Sequence, residues 1–123
     1  MITVKIAEAG KPTLNNRTYS AETWQQSIKH MGGQPVWGTI QVFDGLTVPI
    51  EHISHTIANL RMDGNDVIGD VTVLDTPHGA ILAKLIASGM NVQYRPCGYG
   101  DVDKQGNVTN YALHYIAAVV EAD

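Results

Sequence analysis

The side chains to weigh first for a nucleophilic or metal-binding role are Cys97, the single cysteine, and the five histidines. Cys97 stands between Arg95-Pro96 and Gly98-Tyr99-Gly100. A thiol becomes a useful nucleophile when a nearby cation or histidine lowers its pKa. Arg95 is close in sequence, and His52, His55 and His78 are candidate bases, which makes Cys97 with His55 the one catalytic pairing to consider. The plainer expectation for a lone cysteine is a small, inert, partly buried side chain. His52 and His55 are three apart, a spacing that can ligate a metal on a helix. Glu51 is the only local acid and there is no second cysteine to complete a tetrahedral set, so no metal site is expected. Gly98-Tyr99-Gly100 lacks the lysine and following helix of a phosphate-binding loop. No cofactor is expected.

The elements that must position these residues follow from periodicity. Met1 to Ala7 alternates as a strand, and loop chemistry follows at Gly10-Lys11-Pro12 and Leu14-Asn15-Asn16. Ser20 caps a first helix, stapled by Tyr19 and Trp24, with Trp24, Ile28 and Met31 on its apolar stripe and Gly32-Gly33 as its stop. Val36 to Phe43 alternates, Asp44-Gly45 offers a turn, Leu46 to Val48 a short continuation, and Pro49 breaks it. Ile50 to Ser54 is a helical turn or a connector. The longest coherent block runs from Ile57 to Gly100: a strand, a reversal at Asp63-Gly64-Asn65-Asp66, and a return strand from Val67 to Leu74. Thr76-Pro77 then opens a helix with Ile81, Leu82, Leu85 and Ile86 as its apolar stripe, and Gly89 closes it. A short strand, Asn91 to Tyr94, enters the loop Arg95 to Gly100. A turn at Asp103 to Asn107 leads to a last strand carrying Tyr111, Leu113, Tyr115, Ala117 and Val119 on one face.

At 123 residues the chain is one domain, spanning 1–123, large enough for a real core. A hydrophobic fraction of 44% and a charged fraction of 16% describe a weakly charged globule, and part of its surface is expected to be covered by something else. Net charge is −4 with no run of like charges, so there is no footprint for nucleic acid or an anionic membrane. No apolar run approaches the ~20 residues that span a bilayer. The N-terminus lacks a basic-then-apolar signal, so the expected location is a cytoplasm or a particle assembled there. Six or seven short strands and two helices make an α+β domain on a strongly bent antiparallel sheet or small β-barrel.

Gly64-Asn65-Asp66-Val67-Ile68-Gly69, the helix from Gly79 to Gly89, Gly98-Tyr99-Gly100 and the earlier Asn16-Arg17-Thr18-Tyr19 carry a resemblance. Together they resemble the prohead (capsid maturation) proteases of tailed bacteriophages, in the T4-type prohead core protease branch, over most of the chain. The resemblance implies a barrel-like core flanked by helices, related in outline to the herpesvirus assemblin proteases. It also implies a serine nucleophile in a Ser-Ser-Arg-Gly-x-Gly loop and a base in a Gly-Glu-Leu-x-His-Pro segment. Aligned on Gly98 and Gly100, the two serine positions hold Arg95 and Pro96, and the arginine position holds Cys97. Aligned on Gly38, the histidine position holds Val42 and the proline position Phe43. Neither a guanidinium nor a proline ring is a nucleophile, and valine accepts no proton.

The chain therefore reads as a phage structural protein with a pseudo-protease fold, placed in the virion head. Its expected partner is the major capsid protein or another head protein, which it binds as a decoration (cement) or internal head protein. The alternatives are an active maturation protease using Cys97 or a misaligned site, and a host-takeover protein that blocks a bacterial enzyme. The residues expected at an interface are Arg95, Pro96, Tyr99 and Tyr94, because arginine and tyrosine dominate contact energetics.

Overall fold

The structure is a computed structural model that describes residues 1–13, 15–42 and 47–120. Leu14, Phe43, the expected Asp44-Gly45 turn and Leu46 lie outside the described residues. In chain order the elements are β1 (Ile2–Glu8), β2 (Thr18–Tyr19), α1 (Ala21–Met31), β3 (Val36–Thr39), a 3-10 turn (Ile50–His52), β4 (Ile53–Asp63), β5 (Asp66–Val73), α2 (Pro77–Ala87), β6 (Gln93–Val102) and β7 (Asn107–Val119).

The strands form one seven-stranded sheet in the order β1-β5-β4-β3-β7-β2, with β6 paired to β7. β7 is the spine. β6 runs antiparallel along one of its edges, while β2 and β3 pair with it in parallel through Thr18-Tyr19 and Gly38-Thr39. The sheet is therefore mixed, which corrects the expectation of an antiparallel one. Parallel pairing needs a crossover, and alternation along a strand carries no mark of its neighbour's direction. The two end strands, β1 and β6, curl towards one another without pairing, so the sheet is a half-barrel.

Two irregularities help to curl it. Asn59 in β4 and Asn110 in β7 adopt positive φ (55° and 52°), a conformation that asparagine tolerates better than other side chains. The ladder slips register between Ala58 and Arg61, and again between Tyr99 and Asp101 on the strand facing Asn110. Bulges of this kind bend a strand and raise its twist. Each asparagine donates its amide to an aspartate on the neighbouring strand, Asn59 to Asp70 at 3.1 Å and Asn110 to Asp101 at 2.9 Å.

The core has two connected parts. Ile6, Val36, Ile57, Val71, Leu82, Tyr94, Ile116 and Ala118 fill one; Ala9, Trp24, Val67, Val108 and Tyr111 fill the other. Tyr19, Trp24 and Tyr111 meet ring to ring, with centroids 5.0–5.8 Å apart. Ser20 caps α1 by accepting from the Thr23 amide, and Gly32 ends it at φ 63°. Thr76 caps α2 through the Gly79 amide and also donates to the Ile53 carbonyl, which ties the helix start to β4. The buried centre of α2 is Leu82; Leu85 and Ile86 are half-buried, and Ile81 is exposed. The expected stripe is therefore narrower than four residues. Thr47 and Val48 belong to no strand, and the turn at Ile50–His52 resolves that segment as 3-10 helix.

Candidate functional site

The segment Arg95 to Gly100 is not a loop. It lies inside β6, paired residue by residue with β7 from Arg95↔Ala117 to Tyr99↔Ala112, with a register shift between Cys97 and Gly98. The glycines were read as loop chemistry, but Gly98 serves close packing: a Cβ there would overlap the Ala112 carbonyl. Alternation then sorts the candidates by face. Tyr94 belongs to the core side, while Arg95 and Cys97 belong to the other face.

On β3 the equivalent row is Thr39, which pairs with the same Ala117 that faces Arg95. Thr39 and Arg95 are thus two strand spacings apart, about 10 Å. The end of β3, which leads to the exposed Val42, and the middle of β6 flank one short stretch of β7. Val42 follows β3, and Arg95-Pro96 stand in β6.

Cys97 is half-buried, and its thiol points at the Arg95 carbonyl at 3.7 Å. Burial pushes its pKa up; a hydrogen bond from Tyr115 and the Arg95 charge oppose this without reversing it. His55 sits elsewhere. It is wholly buried, pairs with Gly38 and turns its ring edge to Tyr94, with centroids 5.9 Å apart, on the core side of the sheet. A Cβ at Gly38 would overlap His55 Nε2, so the glycine is what admits the ring. Ser54 Oγ lies 2.7 Å from Nδ1. Burial lowers the pKa of His55 to about 4; the Ile116 carbonyl beside Nε2 offsets part of this without closing a hydrogen bond of normal geometry. Cys97 and His55 thus lie on opposite faces of the sheet, and the structure does not bring them together as a nucleophile–base pair.

The histidine spacing that invited a metal, His52 and His55, is split as well, because His55 is in β4 and His52 ends the 3-10 turn. His52 instead meets His78 at the start of α2, with ring centroids 4.5 Å apart and planes at 78°. Among the described residues no cluster of three or more metal-ligating side chains forms. Sequence spacing could not reveal the His52–His78 contact, since 26 positions separate them.

Between the unpaired edges of β1 and β6 lies a cleft of about 470 Å³, lined in part by Ile6, Glu8, Lys11, Tyr94, Arg95 and Pro96. Glu8 accepts a hydrogen bond from Lys5 at 2.9 Å, which holds its carboxyl below the usual carboxylate range. Of the four expected interface residues, Arg95 is exposed, Pro96 is half-buried and Tyr99 is 56% exposed. Tyr94, at 8%, is a core residue and offers no projecting ring, a correction that follows from its place opposite Ala118. Tyr99 lies four residues beyond Arg95, about 13 Å along the strand, with His114 as its ring neighbour. Trp37 in β3 stacks on Tyr115, with ring centroids 5.0 Å apart and planes at 5°.

No protein-family model and no curated protein sequence matches the chain. Among solved structures it is similar to the bacteriophage T4 capsid assembly protease, with a TM-score of 0.80 and 22% identity, covering 98% of this chain and 82% of that chain. Two helices against a strongly curled, mixed half-barrel sheet are thus the fold of a phage prohead protease.

Proposed function

We propose that this chain uses the prohead-protease fold as a binding module in phage head assembly, contacting the major capsid protein or another head protein without cleaving it. The observation that carries the reading is the chemistry in the rows around Ala117. The β6 positions where the resemblance calls for a nucleophile hold Arg95 and Pro96, and Val42 follows β3 where it calls for a base. The neighbouring thiol is pushed away from the thiolate form, and His55 is shut in the core. Arg95, Pro96 and Tyr99 then supply binding chemistry: a planar fork of donors, a conformationally fixed residue and an exposed amphipathic ring. Decoration of the shell, or residence inside the head, is the role that such a surface serves.

Quantitative mass spectrometry of purified particles tests this. The chain should be present at a copy number comparable with the capsid protein, and no cleavage of itself or of a co-expressed scaffold should occur. A serine-directed phosphonate should leave its intact mass unchanged. Absence from particles would instead favour a host-directed role, and cleavage abolished by Cys97→Ala would restore the enzyme. Within the binding reading, Arg95→Ala with Tyr99→Ala should weaken particle binding while the thermal midpoint stays within a few degrees. Wild-type binding by the folded double variant would remove this strand from the contact.

A further inference from the structure

α2 is apolar nearly all the way round. Between Pro77 and Ala87 its only charged side chain is Lys84, yet only Gly79 and Leu82 are buried. A helix apolar on every side belongs in an interior; this one has the sheet on one side only. Positions 77, 81, 84 and 88 fall at i, i+4, i+7 and i+11, a single stripe facing away from Leu82. That stripe is Pro77, Ile81, Lys84 and Ser88, all exposed, flanked by the exposed Ala80. The His52–His78 contact sets the 3-10 turn along the same flank, since His78 and Ile81 are three apart. The turn exposes Ile50, at 83%, as α2 exposes Ile81, at 48%.

We propose that this face is a self-association surface on which two copies of the chain pair their α2 helices antiparallel about a two-fold axis beside Ala80. The charges select this occupant. Lys84 lies in the C-terminal half, while Asp75 precedes the helix and Glu51 sits in the adjoining turn, all three exposed. Ala80 is midway between Asp75 and Lys84, so antiparallel pairing sets each Lys84 against the other copy's Asp75 end. Such a patch is its own complement, which a two-fold contact requires. Ala80 at the crossing lets the helices approach closely, Ile81 and Ile50 are withdrawn from water, and the two helix dipoles oppose one another. The proposal does not depend on the functional reading above.

Sedimentation equilibrium of the purified chain, from micromolar to millimolar, should show reversible conversion from 13.3 kDa to twice that mass. Ile81→Glu should weaken the dimer by at least about tenfold, as loss of a central apolar contact does, without lowering the thermal midpoint of the monomer. Ile50→Glu, on a side chain that touches little of its own domain, should do the same and guards against a folding defect at Ile81. Lys84→Asp should weaken association, and adding Asp75→Lys should restore it. A monomer at every concentration overturns the proposal, as does a dimer indifferent to both Ile81→Glu and Ile50→Glu. Failure of the charge exchange to restore pairing overturns the antiparallel arrangement.

Discussion

His55 has an ordinary value of 6.5 and a folded one of about 4, so between those values the unfolded chain takes up a proton that the folded chain refuses. Stability from this group is complete above pH 6.5, falls as pH drops towards 4, and is level below that. The span corresponds to about 3 kcal/mol. Chemical denaturation at neutral pH and at pH 4.5 should differ in this direction, and His55→Gln should flatten the dependence. Gly38 makes the same point sterically. Gly38→Ala places a methyl group where His55 and the Ile116 carbonyl already stand, and overpacking of that kind costs about 1–3 kcal/mol. A denaturation curve unchanged by Gly38→Ala would mean that the ring is not held beneath β3. From sequence, His55 was a candidate base and Gly38 only an alignment mark. A buried histidine and a catalytic one look alike in one dimension, since what separates them is the face of the sheet.

At the scale of elements, α2 tests the distinction between a stripe and a buried line. Leu82→Ala should cost about 2–5 kcal/mol through lost transfer energy and a residual cavity, because Leu82 is 1% exposed. Ile81→Ala, on the exposed flank, should cost the monomer well under half as much. Thr76→Ala removes an N-cap and should cost about 1 kcal/mol, more if the lost link to Ile53 frees the helix start. The helix boundaries were legible because caps are local: Ser20, Gly32 and Thr76 act within a turn of where they stand. The turn at Gly64 was legible for the same reason. The bulges, the short β2 and the parallel pairing of β3 were not, because each is set by residues distant in sequence. Asn59 and Asn110 in the middle of alternating runs were the available signal, since asparagine is poor in regular strands and tolerant of positive φ. Tyr94 was expected at an interface, because the short strand from Asn91 to Tyr94 gives no indication of which face will be covered. Val42, Arg95 and Pro96 were singled out by the resemblance, and the structure adds that Arg95 and Thr39 flank Ala117.

For the molecule as a whole, β7 carries a consequence that no local contact reveals. It pairs with β2, β3 and β6 and packs against α1, yet it follows every one of them in the chain. A nascent chain emerging from a ribosome can form the β4–β5 hairpin and dock β1 and β3 on its two sides, while β2, β6 and the second edge of β3 wait for β7. Closing those long loops is an entropic cost met before any pairing rewards it, so folding should be slow for a domain of this size, on the order of milliseconds to seconds. Stalled chains truncated before Asn107 should be protease-sensitive across β2, α1 and β6 and comparatively resistant in β4–β5, with β3 pairing on its β4 edge alone. Full resistance should appear in one step, once Asn107 to Val119 has cleared the exit tunnel.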